Sequence, residues 1–248
     1  MAGGLDLSRT TNGIGDVAIR PTRPPLVWLA AGFVPVIVLV AWRVLLSPPA
    51  PTGGLCGDLL APTVVWRLGL AVAVLGAVAA MAAFLHADRA SLLLRWPSAT
   101  IVVVSVAFAV VVGPLALWLG PILAAPFFGP VGYALAPQGM ALTAFLAALV
   151  IALANGTLEE LTFRGALMGW GSRALGPLGA NLLQAVVFGV VHVGADFTGD
   201  PLPVMLAVGV GGLIAGVIAQ RTRSLLLPIV VHAAFDLPLY YAFACRLG

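Results

Sequence analysis

The sequence predicts an all-α bundle of about seven transmembrane helices, and two observations support this fold class. Of the 248 residues, 61% are hydrophobic and only 8% are charged, whereas a water-soluble domain carries about a quarter charged residues. Seven apolar segments also approach the length of about 20 residues that a helix needs to cross a bilayer. The net charge of only +3 and the two cysteines argue against nucleic-acid binding and against a disulfide scaffold.

The chain is predicted to hold a short tail and one transmembrane domain. Residues 1–25 are polar, Gly- and Pro-rich and carry three arginines, which predicts a mobile cytoplasmic tail without a cleavable signal. Residues 26–248 are predicted to form a single domain in which Pro- and Gly-rich connectors separate the spans. The predicted spans are 26–46, 68–85, 98–119, 139–168, 178–193, 202–219 and 225–244.

The arginines predict how these spans are oriented. All twelve basic residues are arginine, and cytoplasmic loops are enriched in basic residues. With the amino terminus inside, three arginines lie outside, at 43, 67 and 246, and nine lie on the cytoplasmic side, at 9, 20, 23, 89, 95, 164, 173, 221 and 223. We therefore predict a multi-pass protein of the cell membrane with an external carboxyl terminus. Cys56 and Cys245 would both be external, either as a disulfide or as two separate thiols.

Titratable residues inside the spans are the candidates for function, because charge at membrane depth is costly. Three predicted spans carry them, and together they use the only two glutamates and two of the three histidines. By the helical rise of about 1.5 Å per residue, Glu159, His192, His232 and Asp236 lie about 10 to 21 Å from the predicted cytoplasmic span ends. They therefore form one predicted layer. The layer comprises Glu159, Glu160 and Arg164 in span four, His192 in span five, and His232 and Asp236 in span seven.

Helical spacing predicts different tasks for the two glutamates. Glu160 and Arg164 are four residues apart and can form an ion pair within the helix. Glu159 points about 100° away and has no predicted partner in its own helix, which suits a general base. His232 and Asp236 also share a helical face. These residues have simpler interpretations as well. The span-four residues could be a helix end in water, His192 could be a packing residue, and His232 with Asp236 could form a structural hydrogen bond. Their coincidence at one depth favours a site.

Three motifs resemble those of the CPBP family, which groups CAAX proteases and bacteriocin-processing enzymes and is also called the Abi family. The family shares EExxxR, FxxxH and HxxxN or HxxxD motifs. Here they are EELTFR at 159–164, FGVVH at 188–192 and HAAFD at 232–236, in the same order, across a core of about 139–240. The resemblance implies an intramembrane endopeptidase that uses a glutamate rather than a metal and cleaves membrane-associated peptides or proteins.

The resemblance also implies a role for each motif residue. Glu159 and His192 would hold and activate a water molecule, and His232 with Asp236 would stabilise the oxyanion. The remaining motif residues, Glu160, Arg164 and Phe188, would support the site. Because an ionised Asp236 cannot donate a hydrogen bond, it would have to be protonated, orient His232 or have another role.

Two alternatives stay open from the sequence alone. Glu159, His192 and His232 could bind zinc and activate a zinc-bound water, although no HExxH motif is present. The same buried polar residues could instead serve an inactive binding or immunity protein, or a small transporter. Membrane lipid and a peptide or protein substrate are the expected partners, no nucleic acid is expected, and no cofactor is required by the favoured mechanism.

Overall fold

The computed structural model describes residues 23–46, 61–128, 142–193 and 200–244. Most of the predicted tail, both cysteines and Asp196 lie outside the described residues. Within them the chain is helical and has no strand beyond one isolated bridge, which confirms the predicted all-α fold class. The helices are α1 Pro25–Leu45, α2 Ala61–Leu85, α3 Ala99–Phe128, α4 Leu142–Glu160, α5 Gly171–Val191, α6 Pro201–Thr222 and α7 Leu226–Ala244, with a 3₁₀ helix at Arg89–Leu92 and a π-helix at Leu161–Trp170.

Four helical runs of the described residues are long and apolar enough to cross a membrane, and two shorter apolar helices accompany them. One run covers residues 148–191 and has 44 residues, about twice what one crossing requires. If this run is counted as two passes, it gives about seven membrane passes together with the other three long runs and the two shorter helices, as the sequence predicts.

The 148–191 run reverses direction near Gly176. This glycine has a φ of 69° and precedes Pro177, so helical geometry is interrupted there. The rings of Phe163 and Phe188 nevertheless lie 4.9 Å apart, whereas a straight helix would separate their Cα atoms by about 37 Å. The π-helix and α5 therefore pack side by side, and this brings the first two motifs together.

Most helix ends lie near the predicted span ends, but α2 and α5 each begin seven residues earlier than predicted and α3 ends nine residues later. We predicted that the third span ends at residue 119, where a Pro- and Gly-rich connector begins. Instead α3 continues to Phe128. In a membrane the backbone has no water to bond with, so it stays helical wherever it can. Prolines are tolerated there because the backbone groups that they free find partners on neighbouring helices or side chains.

Glycines allow α5 and α6 to approach closely, as the small-xxx-small spacing predicts. A Cβ atom added at Gly216 would lie 1.9 Å from Asn181 Oδ1, and one added at Gly189 would lie 2.5 Å from the backbone oxygen of Met205. A Cβ at Gly212 would lie 3.0 Å from the Phe188 ring. The tight interface thereby fixes α5, which carries the second motif.

The interior of the bundle holds polar residues, and its outer surface is apolar. Glu159, Glu160 and Arg164 are each 1% exposed, while Val72 and Val103 are typical of many large apolar side chains that are well exposed. One hydrophobic core cluster joins side chains of α1, α2, α4, the π-helix and α5. A surface of this kind suits lipid rather than water.

Candidate active site

The three motifs converge on one buried cluster. α4 ends with Glu159 and Glu160, the end of α5 carries His192, and the middle of α7 carries His232. The Oε2 atom of Glu159 lies 3.5 Å from His192 Nε2 and 3.7 Å from His232 Nε2. Both histidine side chains are only 13–14% exposed. Residues up to 73 positions apart in the chain, Glu159 and His232, thus share one site.

The two oxygens of the Glu159 carboxylate have different surroundings. Oε1 accepts from Arg43 Nη2 at 2.7 Å and from Asn155 Nδ2 at 3.3 Å. Oε2 is buried and accepts no hydrogen bond that meets standard geometry from any described residue; it faces the two imidazole rings. One oxygen therefore fixes the carboxylate while the other is presented to the histidines.

The prediction that Glu159 has no partner in its own helix is wrong. Asn155 lies one turn earlier on the same face of α4, where residues four apart meet. Arg43 reaches the carboxylate from α1. Its approach is explained by the cost of an uncompensated buried charge, which a close ion pair offsets.

A contact with its own helix orients the His192 ring so that Nε2 faces Glu159. Its Nδ1 lies 2.7 Å from the carbonyl oxygen of Phe188, one turn earlier. Since a carbonyl oxygen can only accept, Nδ1 carries a proton, and this sets the tautomer of the ring. In the neutral ring Nε2 is then an acceptor directed at Glu159.

Glu160 links the first motif to the third. Its Oε1 lies 2.9 Å from Arg164 Nη1, which confirms the predicted ion pair, and 2.9 Å from His232 Nδ1. The carboxylate thus accepts from His232 Nδ1 and orients its ring so that Nε2 faces Glu159 Oε2. Glu160 and Arg164 support the site by contact rather than by sequence proximity alone.

Asp236 belongs to the cluster but contacts His232 only loosely. Its Oδ2 accepts from Asn155 Nδ2 at 2.9 Å, and His232 Nε2 lies 3.7 Å away. The Asn155 amide therefore bridges two carboxylates, those of Asp236 and Glu159, which would otherwise repel each other in a buried setting.

Phe188 explains the aromatic position of the second motif. Its ring packs edge-on against Phe163, His192 and His232 at centroid distances of 4.9, 4.4 and 5.9 Å. The Arg164 guanidinium lies 4.1 Å above it, within cation–π range. A single side chain thereby touches residues of all three motifs.

The residues of the zinc alternative share their carboxylate with an arginine. Among residues 23–46, 61–128, 142–193 and 200–244, no group of three or more His, Cys, Asp or Glu is arranged to hold a metal ion. The alternative ligand set of Glu159, His192 and His232 also has the Arg43 cation on its carboxylate. A guanidinium at that distance opposes a divalent cation electrostatically.

Sequence reasoning missed Arg43, Asn155 and the π-helix. Among the four predicted spans that carry no motif, Arg43 is the only basic residue. That scarcity could have identified it as a candidate site residue. Asn155 is a polar residue one helical turn before Glu159. The ten-residue π-helix directly after Glu160 has no signature in the sequence, although π-helical turns often occur at functional sites.

Comparison with known proteins supports the motif assignment. Residues 141–238 match the family model described as type II CAAX prenyl endopeptidase Rce1-like. No curated protein and no solved structure matches the chain. The matched segment contains all three motifs and every cluster residue except Arg43. The motif resemblance to the CAAX-protease, or CPBP, family is thus confirmed as a similarity over residues 141–238.

Proposed function

We propose that the protein is an intramembrane endopeptidase that hydrolyses peptide bonds with a water molecule activated by Glu159 and His192. The observation that supports this most directly is the convergence of Glu159 Oε2 and the Nε2 atoms of both histidines in a buried cluster. Glu159 Oε2 and the Nε2 atom of a neutral His192 are both acceptors. They need a donor between them, and a water molecule supplies two protons.

Charge balance distinguishes the two histidines. Glu159, Glu160 and Asp236 carry three negative charges, while Arg43 and Arg164 carry two positive charges, so one added proton makes the buried cluster neutral. His232 is the natural carrier, because it contacts Glu160 at 2.9 Å and Asp236 at 3.7 Å. His192 then stays neutral and accepts from the water.

The reaction follows from these states. The water donates to Glu159 Oε2 and His192 Nε2 and attacks the peptide carbonyl carbon, and Glu159 takes the proton. The tetrahedral oxyanion accepts from His232 Nε2–H. Glu159 then gives the proton to the amide nitrogen, the C–N bond breaks, and a carboxylic acid, which keeps the second water proton, and an amine leave.

Arg43 acts in this scheme as a positioning residue. By holding Oε1 at 2.7 Å it leaves Oε2 as the oxygen available to water. Asn155 does the same from within α4 and keeps Asp236 in place. A carboxylate held in this way is preorganised, so little reorganisation is needed during the reaction.

The substrates that fit this site are peptides or proteins in or beside the membrane, since the cluster lies among apolar spans. The arginine-rich end of the bundle would face the cytoplasm by the positive-inside rule. Two contacts support the location of these arginines at one end of the bundle: Arg173 stacks on Trp28 near the start of α1, and Arg23 donates to the carbonyl of Phe84 near the end of α2. We propose no prenyl specificity.

Comparative proteomics of membranes tests the proposal. Cells with the wild-type protein and cells with Glu159→Gln, which removes the charge with little change of shape, would be compared for membrane proteins that accumulate uncut. Arg221→Gln, an exposed charge outside the cluster, is the control. We expect a defined substrate to accumulate only with Glu159→Gln. Equal cleavage patterns in all three strains would contradict a protease.

A second measurement tests metal dependence and the alternative functions. Cleavage of the identified substrate by purified protein should survive chelation. Loss with chelator and rescue by zinc would overturn the metal-free mechanism. Solute or ion flux in proteoliposomes that Glu159→Gln abolishes, without any cleavage, would instead show a transporter.

A further inference from the structure

A second concentration of polar groups lies at one end of the bundle, apart from the cluster. It is a pocket of about 340 Å³ whose wall includes Arg95, Arg173 and Arg223. Each arginine comes from a different element: the segment after the 3₁₀ helix, the first turn of α5, and the C-cap of α6. The wall also includes Met168, nine residues after Glu159, or roughly 14 Å along a helix.

The pocket is strongly basic. No aspartate or glutamate is among the described residues that line it. Asp88, which lies close by in sequence, uses its Oδ1 to accept from the Ser91 N–H at 2.9 Å and so caps the 3₁₀ helix. Three guanidinium groups therefore share one concavity in which no described residue contributes a carboxylate, and such a concavity attracts anions.

The other polar groups of the wall are used to hold its shape. Ser172 Oγ donates to the Gly169 carbonyl at 2.7 Å, and Gln220 Nε2 donates to the Pro177 carbonyl at 2.8 Å. The backbone N–H of Arg95 donates to the carbonyl of Arg223 at 3.4 Å and ties two sides together. The guanidinium groups remain the donors that can meet a ligand.

Arg173 is oriented for this task. Its guanidinium lies 3.7 Å over the Trp28 ring. Stacking occupies one face of the planar group and leaves the N–H edges in the plane, where oxyanions bind with two hydrogen bonds.

Large apolar side chains next to the pocket indicate the surroundings of the ligand. Trp96, beside Arg95, is 92% exposed, and Leu178, beside Pro177, is 70% exposed. Exposed tryptophan next to arginine is typical of the membrane–water interface. A ligand that meets both the arginines and these apolar groups carries an anionic head and acyl chains.

We propose that this pocket binds the phosphate group of an anionic phospholipid. The phosphate would lie among Arg95, Arg173 and Arg223, and the acyl chains would extend along the apolar surface beside Trp96 and Leu178. Basic pockets between helices at a membrane surface suit such headgroups. The site is separate from the cluster and does not depend on the proposed protease activity.

Ligand binding to the purified full-length protein in neutral detergent tests this proposal. The probes are short-chain phosphatidylglycerol, short-chain phosphatidylcholine and inorganic phosphate at matched ionic strength, read out as lipid adducts by native mass spectrometry and as thermal stabilisation. The pocket variant is Arg95→Gln with Arg223→Gln. The matched control is Arg89→Gln with Arg221→Gln, which removes the same charge from exposed positions outside the pocket wall.

We expect selective phosphatidylglycerol binding that the control retains and that the pocket variant loses by about 30-fold, from about fivefold per arginine near a membrane surface. Arg173→Gln alone should weaken binding by about fivefold. Equal losses in the pocket and control variants, or equal binding of phosphatidylcholine, would overturn the site. Inorganic phosphate that binds as tightly as phosphatidylglycerol would overturn the lipid as the source and assign a soluble phosphate ester.

Discussion

The central cluster and the arginine pocket both concentrate charge, but they treat it in opposite ways. In the cluster, each arginine meets a carboxylate within 3 Å: Arg43 meets Glu159 and Arg164 meets Glu160. In the pocket, three exposed arginines share a wall without a described carboxylate. Buried charges are tolerated only when they are paired, whereas exposed charges remain hydrated. The cluster therefore holds its charged groups in fixed positions, and the pocket is open to an anion.

The largest expected effect is on the chemical step in the cluster. Glu159→Gln should lower kcat for the identified substrate by about 10²–10⁴-fold, the range for loss of a general base. The protein should stay folded, since the amide keeps the shape and an oxygen that can accept from Arg43, whose side chain is 22% exposed. The pocket variant Arg95→Gln with Arg223→Gln, assayed in parallel in detergent, should change kcat little. Similar losses in both would mean that the two regions are not separate in function.

The second largest effect is expected from breaking the ion pair between Arg43 of α1 and Glu159 of α4. Arg43→Met should destabilise the protein by about 3–5 kcal/mol, because it leaves the buried Glu159 carboxylate without its cation. Combining it with Glu159→Gln should recover most of that stability, as unfolding in a denaturing detergent would show. If the double variant were as unstable as Arg43→Met, packing of Arg43 rather than its charge would explain the loss.

A third prediction separates the tightly packed interior from the lipid-facing surface on one helix. Gly216→Ala should destabilise by about 1–3 kcal/mol through overpacking, because the added Cβ would overlap Asn181 Oδ1. Gly211→Ala, where a Cβ would meet nothing within 4 Å, should be neutral or slightly stabilising. Thermal unfolding of the two purified variants measures the difference. Equal effects would contradict the close α5–α6 interface.

The smallest expected effect is that of Asp236→Asn. The substituted side chain keeps an oxygen that can accept from Asn155, and His232 keeps its closer carboxylate partner, Glu160, at 2.9 Å. Activity should therefore fall by no more than about tenfold, the equivalent of one modest hydrogen bond. Steady-state cleavage of the identified substrate measures it. A loss as large as that of Glu159→Gln would show that the Asp236 carboxylate takes a direct part in proton transfer.

Some parts of the molecule could be predicted from the sequence and others could not. The spans and the Glu160–Arg164 pair could be predicted because hydropathy and i, i+4 spacing are local properties. The site residues could be proposed because charge is so rare in this chain that two glutamates and two histidines stood out. Arg43 could not be assigned to Glu159, because the two are 116 residues apart and no local pattern joins them.

By itself the sequence determined that the protein lies in lipid, that its fold is all-α and that it carries the three motifs, since these follow from composition and short-range spacing. Only the tertiary structure decided which atoms meet: the reversal at Gly176, the π-helix after Glu160, and the partners of each oxygen of Glu159. The physical reason is that side-chain pairing in a membrane interior depends on how separate helices pack. Burial then requires each charge to find a partner, wherever in the chain that partner lies.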